Sequence, residues 1–188
     1  MIYLEYFAFP DSDREFDFFV NQKRTCYDSF YPFQILSRHH LQRIDFEPVT
    51  ILYGGNGSGK TTVLNVIGEK LQLSRESVYN IREYSNGESA FIYFSEKITE
   101  NGLFLLDEPE NSLSPARQQE LVKFLEDSAR FFGCQFVIST HSPFLLAMRG
   151  AKIYDLDEDP ADVKRWTELE NVRAYYTFFR DHCDEFTD

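Results

Sequence analysis

Val49-Thr50-Ile51-Leu52-Tyr53-Gly54-Gly55-Asn56-Gly57-Ser58-Gly59-Lys60-Thr61-Thr62 is the stretch that decides the fold. Val49–Tyr53 is a short apolar run of the kind that forms a buried strand, and it feeds directly into glycines. Residues Gly54–Thr61 are a full match to the pattern GxxxxGK[ST]. Such a loop wraps closely around phosphates, because its glycines let successive backbone N–H groups point inward. A helix is expected next, with Val63, Leu64, Ile67 and Leu71 at helical spacing, and its positive end faces the same anion. Lys60 then supplies a mobile cation for the β- and γ-phosphates, and the Thr61 hydroxyl is placed to bind Mg²⁺. The expected phosphate contacts run through Thr62. A chance Gly-rich turn is the alternative, and it does not account for a strand before and a helix after.

Further along, Leu103-Phe104-Leu105-Leu106 is an apolar strand ending in Asp107-Glu108. Asp107 suits Mg²⁺, since a hard dication takes oxygen ligands. Glu108 is the candidate general base for an attacking water. Taken alone, a strand ending in solvated acids is commonplace; the phosphate loop upstream gives the pair its meaning. Ser139-Thr140-His141-Ser142-Pro143 follows another buried strand, Gln135–Ser139. His141 at that strand end would hydrogen-bond a γ-phosphate or the attacking water, where a lone histidine is otherwise an incidental residue. His39-His40 and His182-Cys183 lack supporting ligand spacing.

The remaining elements extend the alternation. Strands are expected within Met1–Phe9, at Phe16–Val20, at Leu41–Phe46 and at Lys152–Leu156, with a turn at Pro10–Arg14. Helices are expected over Ser89–Ile98, Pro115–Arg130, Phe144–Met148 and around Val172–Phe179. The second of these opens on Ser114-Pro115, buries Leu121, Phe124, Leu125 and the later Phe131, and stops at Gly133. Strands and helices in this order imply an α/β fold with a mostly parallel, doubly wound sheet. At 188 residues the chain has room for one domain with a sizeable core, 1–188.

Composition narrows the partners. A formal net charge of −12 argues against a surface that grips DNA or anionic lipid unaided, although a local basic site remains open. Lys23, Arg24, Arg38, Arg43, Arg75 and Arg82 are scattered candidates for one. Cys26, Cys134 and Cys183 stand apart without metal spacing and read as reduced thiols of a cytoplasmic protein. No charged-then-apolar leader opens the sequence, and no apolar run approaches a membrane span.

Taken in order, these motifs resemble the ABC-class P-loop ATPases, in particular the soluble SMC/RecF/OLD-like branch and a group of small bacterial ATPases within it. Asp107-Glu108-Pro109-Glu110-Asn111-Ser112-Leu113-Ser114-Pro115 is similar to the DEPExxLxP form of that branch, and Thr140–Leu146 to its THSPxLL segment. Ser85-Asn86-Gly87-Glu88 resembles the SxG[QE] core of the family signature, the alternative being an ordinary polar turn. The resemblance implies a head with a reduced helical lobe that binds ATP and Mg²⁺ and dimerises around two nucleotides. Each site would then combine Lys60, Thr61, Asp107, Glu108 and His141 of one chain with Ser85 and Gly87 of the other. Departures are visible. The segment 71–88 is far shorter than the family usually places there, and its one Gln, Gln72, falls on the helix expected after the phosphate loop. Ser114 stands where the usual D-loop Asp would be, and Tyr27, Tyr31 and Phe33 are the candidates for stacking on adenine.

Three functions are compatible with this reading. The first is an ATP-dimerised switch or motor in DNA repair, genome maintenance or defence, acting through a separate effector protein. The second is a regulatory module that holds ATP with negligible hydrolysis. The third is a transporter ATPase subunit, which would need the lobe that the short segment lacks.

Overall fold

Val49–Tyr53 and Gln135–Ser139 are buried at every position, as strands covered on both faces must be. In the computed structural model, which describes residues 1–21, 31–74, 87–111 and 113–186, they lie side by side and parallel at the centre of a sheet. Along the chain the elements are β1 (Tyr6–Ala8), α1 (Ser12–Val20), β2 (Arg43–Asp45), β3 (Val49–Tyr53), α2 (Lys60–Lys70) and α3 (Gly87–Lys97). Then come β4 (Leu103–Asp107), α4 (Pro115–Phe131), β5 (Gln135–Ser139), α5 (Pro143–Leu146), β6 (Lys152–Asp155), β7 (Asp162–Lys164) and α6 (Glu170–Asp181).

The main sheet has the order β4-β5-β3-β6-β7. Its first four strands are parallel, and β7 joins antiparallel at the edge. β1 and β2 form a separate antiparallel pair. Alternation along the central strands divides the core in two. Ile51, Phe136 and Ile138 face Leu121 and Leu125 of α4 and Leu145 and Leu146 of α5. Leu52 and Val137 face the other way, onto Val63, Leu64 and Ile67 of α2. The chain leaves β3, runs to β4 and β5 on one side, then crosses to β6 on the other. The C-terminal end of β3 is therefore the switch point of the sheet, where open α/β folds place their ligands.

Several local expectations needed correction. Phe16–Val20 is helical, part of α1, and the expected turn at Pro10–Arg14 contains that helix's start. Asp11 caps it by accepting the Arg14 N–H at 2.9 Å, and this outweighs the β-prone aromatic run. Glu15 then turns inward and accepts from the Gln34 N–H (2.9 Å) and the Ser37 hydroxyl (2.7 Å). Leu71 and Phe131, expected on buried faces, are exposed. Leu71 is the cap residue of α2, and Phe131 lies about 80° around the helix from Leu121, at the stripe's margin. The edge strand β7 carried no sequence signal.

Gln72 does not lie on α2. It follows the cap in a left-handed conformation (φ +53°), with its N–H bonded to the Glu69 carbonyl and the Leu73 N–H to the Gly68 carbonyl. This is a Schellman closure with Gln at a position that favours glycine. Gln72→Gly is therefore expected to stabilise the fold by up to about 1 kcal/mol, read as a higher urea midpoint at unchanged slope. No helix among the described residues is long and apolar enough to cross a membrane.

Candidate functional site

The loop between β3 and α2 lines a cavity of about 310 Å³, with Ile35 and Glu108 on its walls beside residues Gly55–Thr62. Close approach explains two of its glycines. A Cβ on Gly54 would lie 2.6 Å from Ser58 Oγ, and one on Gly59 would lie 3.1 Å from Leu36, with both residues at positive φ. Lys60 is buried, and its ammonium donates to the carbonyls of Gly54 (2.5 Å) and Gly55 (3.1 Å). Burial pushes the Lys60 ammonium below the usual lysine range, while the carboxylates of Glu108, Asp157, Asp107 and Glu110 push it back up. Facing this cation, an anion would find compensation that the loop carbonyls now provide.

Asp107 ends β4 opposite Ser139 of β5. Its carboxylate accepts from the Ser139 hydroxyl, and from the Thr61 hydroxyl at 3.2 Å to Oδ1 and 3.0 Å to Oδ2. Thr61 and Asp107 thus present adjoining oxygens beside the phosphate loop. An all-oxygen set of this kind fits Mg²⁺, which is usually bound by one or two protein groups plus substrate phosphates and water.

Glu108 adopts a left-handed backbone (φ +46°), a strained conformation for a residue with a side chain. Its N–H is fixed by the Ser139 carbonyl at 3.0 Å. The turn delivers its carboxylate to the cavity wall, where Asn111 Nδ2 donates to Oε2 (3.0 Å) and His141 Nε2 stands 3.4 Å from Oε1. That His141 nitrogen is within ion-pair reach of Glu108 and yet makes no hydrogen bond to the described residues. Glu108 therefore reaches the loop that follows β3, Asp107 reaches Thr61 at that loop's end, and His141, past the end of β5, stands beside Glu108.

Residues with no sequence-level role hold the His141 turn. Glu110 Oε1 accepts from the Thr140 hydroxyl (2.5 Å), the His141 N–H (2.9 Å) and the Ser142 N–H (3.2 Å). Asn171, at the start of α6, donates its amide to the His141 carbonyl at 2.9 Å. Gln118 of α4 accepts from the Ser142 hydroxyl at 2.6 Å. Their only signal in the sequence was the DEPE spelling around Glu110. Glu110→Ala strands the Thr140 hydroxyl and the His141 N–H and is expected to cost about 2–3 kcal/mol in chemical denaturation. Glu110→Gln, which keeps an acceptor oxygen, should lose clearly less.

Other expected residues are only partly placed. Ser85 lies outside the described residues; Gly87 opens α3, which packs on α4 through Phe91 and Phe124. Of the adenine-stacking candidates, Tyr27 is outside the described residues. The Phe33 ring is committed to Phe18 and Phe19 of α1, and the Tyr31 hydroxyl accepts from Asn65 at 2.7 Å. Among the basic candidates, Arg43 is paired with Asp45 and lies over the Tyr6 ring, and Arg38 bonds Gln34. Lys23, Arg24, Arg75 and Arg82 are outside the described residues, as is Cys26. Cys134 is buried and Cys183 exposed, both without a disulfide, and burial pushes the Cys134 thiol above its usual value.

Residues 78–147 match a family model described as "AAA domain, putative AbiEii toxin, Type IV TA system". No curated protein matches the chain. Among solved structures the chain is similar to one titled "An inward-facing conformation of a putative metal-chelate type ABC transporter". The identity is 17%, the TM-score 0.49, and the match spans 72% of this chain and 80% of that one.

Proposed function

We propose that residues 1–188 are a single ABC-class P-loop ATPase head that binds Mg·ATP, hydrolyses it, and dimerises while ATP is bound. The observation that carries the proposal is that Lys60, Thr61 and Glu108 line one cavity, with Asp107 bonded to Thr61 and His141 beside Glu108. On binding, Lys60 exchanges the Gly54 and Gly55 carbonyls for the β- and γ-phosphates, with backbone donors from Asn56–Thr62, including Gly57 and Ser58, around them. Thr61 and Asp107 would hold Mg²⁺, which when bound would offset charge on the phosphate oxygens.

Glu108 polarises the attacking water. As water oxygen bonds to the γ-phosphorus and the bridging oxygen leaves with ADP, Glu108 takes the water proton. His141, whose Nε2 is uncommitted to a hydrogen bond, donates to the γ-phosphate or the water and so distinguishes ATP from ADP. Ser85 and Gly87 of a second copy complete each site in a two-fold, isologous dimer. ATP then favours the dimer through contacts with both chains, and hydrolysis removes that preference.

The switch acts on a separate effector protein in DNA repair, genome maintenance or defence. The toxin–antitoxin wording of the matching family favours defence among these. We place the chain in the cytoplasm, on its free thiols. The short segment 71–88 supports a second reading, a regulatory module that holds ATP and hydrolyses it negligibly. The dimer has a direct test: Glu108→Gln with Mg·ATP should double in mass by light scattering, and Lys60→Ala should stay monomeric. An unchanged mass for Glu108→Gln contradicts the sandwich.

A further inference from the structure

The Gly55 N–H, at the entry to the phosphate loop, is already taken. It donates to both carboxylate oxygens of Asp157, at 2.9 Å to Oδ1 and 2.7 Å to Oδ2, across 102 residues of sequence. The carboxylate packs directly on the loop backbone. A Cβ on Gly54 would come within 3.2 Å of Asp157 Oδ1, and one on Gly55 within 3.6 Å of both oxygens. Asp157 also sits near enough to Lys60 to favour its charged form.

Asp157 is itself held from behind. The Leu156 N–H bonds the Tyr53 carbonyl at 2.8 Å, so Asp157 stands one residue past the last bond between β6 and β3. Its N–H donates to Asp155 Oδ1 (3.1 Å), and Asp155 Oδ2 accepts from Lys164 Nζ (2.8 Å) on β7. Asp155 is buried, whereas Asp157 is exposed, so this chain of contacts runs from a fixed hairpin out to the loop. The edge strand β7 thereby braces the residue that braces the loop.

We propose that Asp157 is a positioning residue of the nucleotide site, fixing the loop's entry at Gly55 so that the donors lining the cavity are preset for the triphosphate. The inference rests on the nucleotide-binding reading above. A preset loop loses less freedom on binding, so the contribution falls on affinity rather than on the chemical step. A carboxylate beside a phosphate site also repels the ligand, and the two effects have opposite signs on removal.

The test is Mg²⁺-dependent binding of a fluorescent ATP analogue to the full chain, with steady-state turnover, for wild type, Asp157→Ala, Asp157→Asn and Lys60→Ala. Asp157→Ala should weaken binding and raise KM about tenfold, the scale of one hydrogen bond to a charged acceptor, with kcat changed less than about twofold. Asp157→Asn, which keeps an acceptor and drops the charge, should stay within about threefold of wild type. Unchanged or tighter binding by Asp157→Ala, or equal losses in Ala and Asn, overturns the positioning role. A wild type that binds no better than Lys60→Ala overturns the nucleotide-binding reading itself. Asp157 is exposed, so both variants are expected to fold, and a melting curve without nucleotide checks this.

Discussion

Lys60→Ala is expected to lose ATP binding by about a hundredfold or more, while the fold survives. The Lys60 ammonium already has partners. It is buried against two loop carbonyls, its pKa depressed by burial, with four carboxylates of the site drawing it back toward the charged form. A triphosphate entering the cavity brings more negative charge than those carbonyls offer, and the cation follows it. Alanine removes the cation and leaves the phosphates facing Asp107, Glu108 and Asp157 without it. Fold stability moves the other way or hardly at all, because a depressed lysine pKa means the buried charge is a cost to folding. That cost is full below the lowered folded-state value and fades as pH rises from there to the ordinary lysine value. Titration calorimetry with Mg·ATP reads the affinity, and a denaturant curve without nucleotide reads the fold.

Glu108→Gln should lower turnover by about 10²–10⁴-fold, the range over which a positioned general base contributes, with ATP affinity nearly kept. Gln retains the size of Glu108 and an oxygen for the Asn111 amide, which now donates to Oε2 at 3.0 Å. What it lacks is the capacity to take a proton from water. The strained backbone at residue 108 is anchored through its N–H to Ser139, which the substitution does not touch. The variant is thus expected to hold ATP without consuming it, visible as single-turnover decay slowed by that factor. A loss of binding in step with turnover would instead assign Glu108 to the ligand's ground state.

What can be read from the sequence is what depends on neighbours in the chain. Val49–Tyr53 and Gln135–Ser139 are legible to the residue because short, mostly apolar runs between breakers have few other uses. The place of the glycine loop after β3 and of the Asp107-Glu108 pair at the end of β4 is legible for a similar reason: glycines, a lysine and paired acids occur there at fixed short spacing. Sequence and structure part where a local signal meets a competing one. At Phe16–Val20 the aromatic run speaks for a strand, and the Asp11 cap with the inward Glu15 makes it a helix. Periodicity carries α2 through Gln72, but the helix closes earlier, at Leu71. The supporting residues of the site are out of reach for another reason. Glu110 meets His141 across 31 positions, Asn171 meets it across 30, and Asp157 meets Gly55 across 102. No pattern of period or spacing carries such pairings; only the order of strands in the sheet brings them together.

Mg²⁺-dependent ATP turnover per chain, measured against protein concentration with and without DNA, separates hydrolysis by paired heads from simple nucleotide holding. The expected result is a specific rate that climbs steeply with concentration before levelling, and that falls by about 10²–10⁴-fold in Glu108→Gln. A rate that is negligible at every concentration, in a wild type that binds ATP tightly, contradicts it and identifies the chain as a nucleotide-holding regulator.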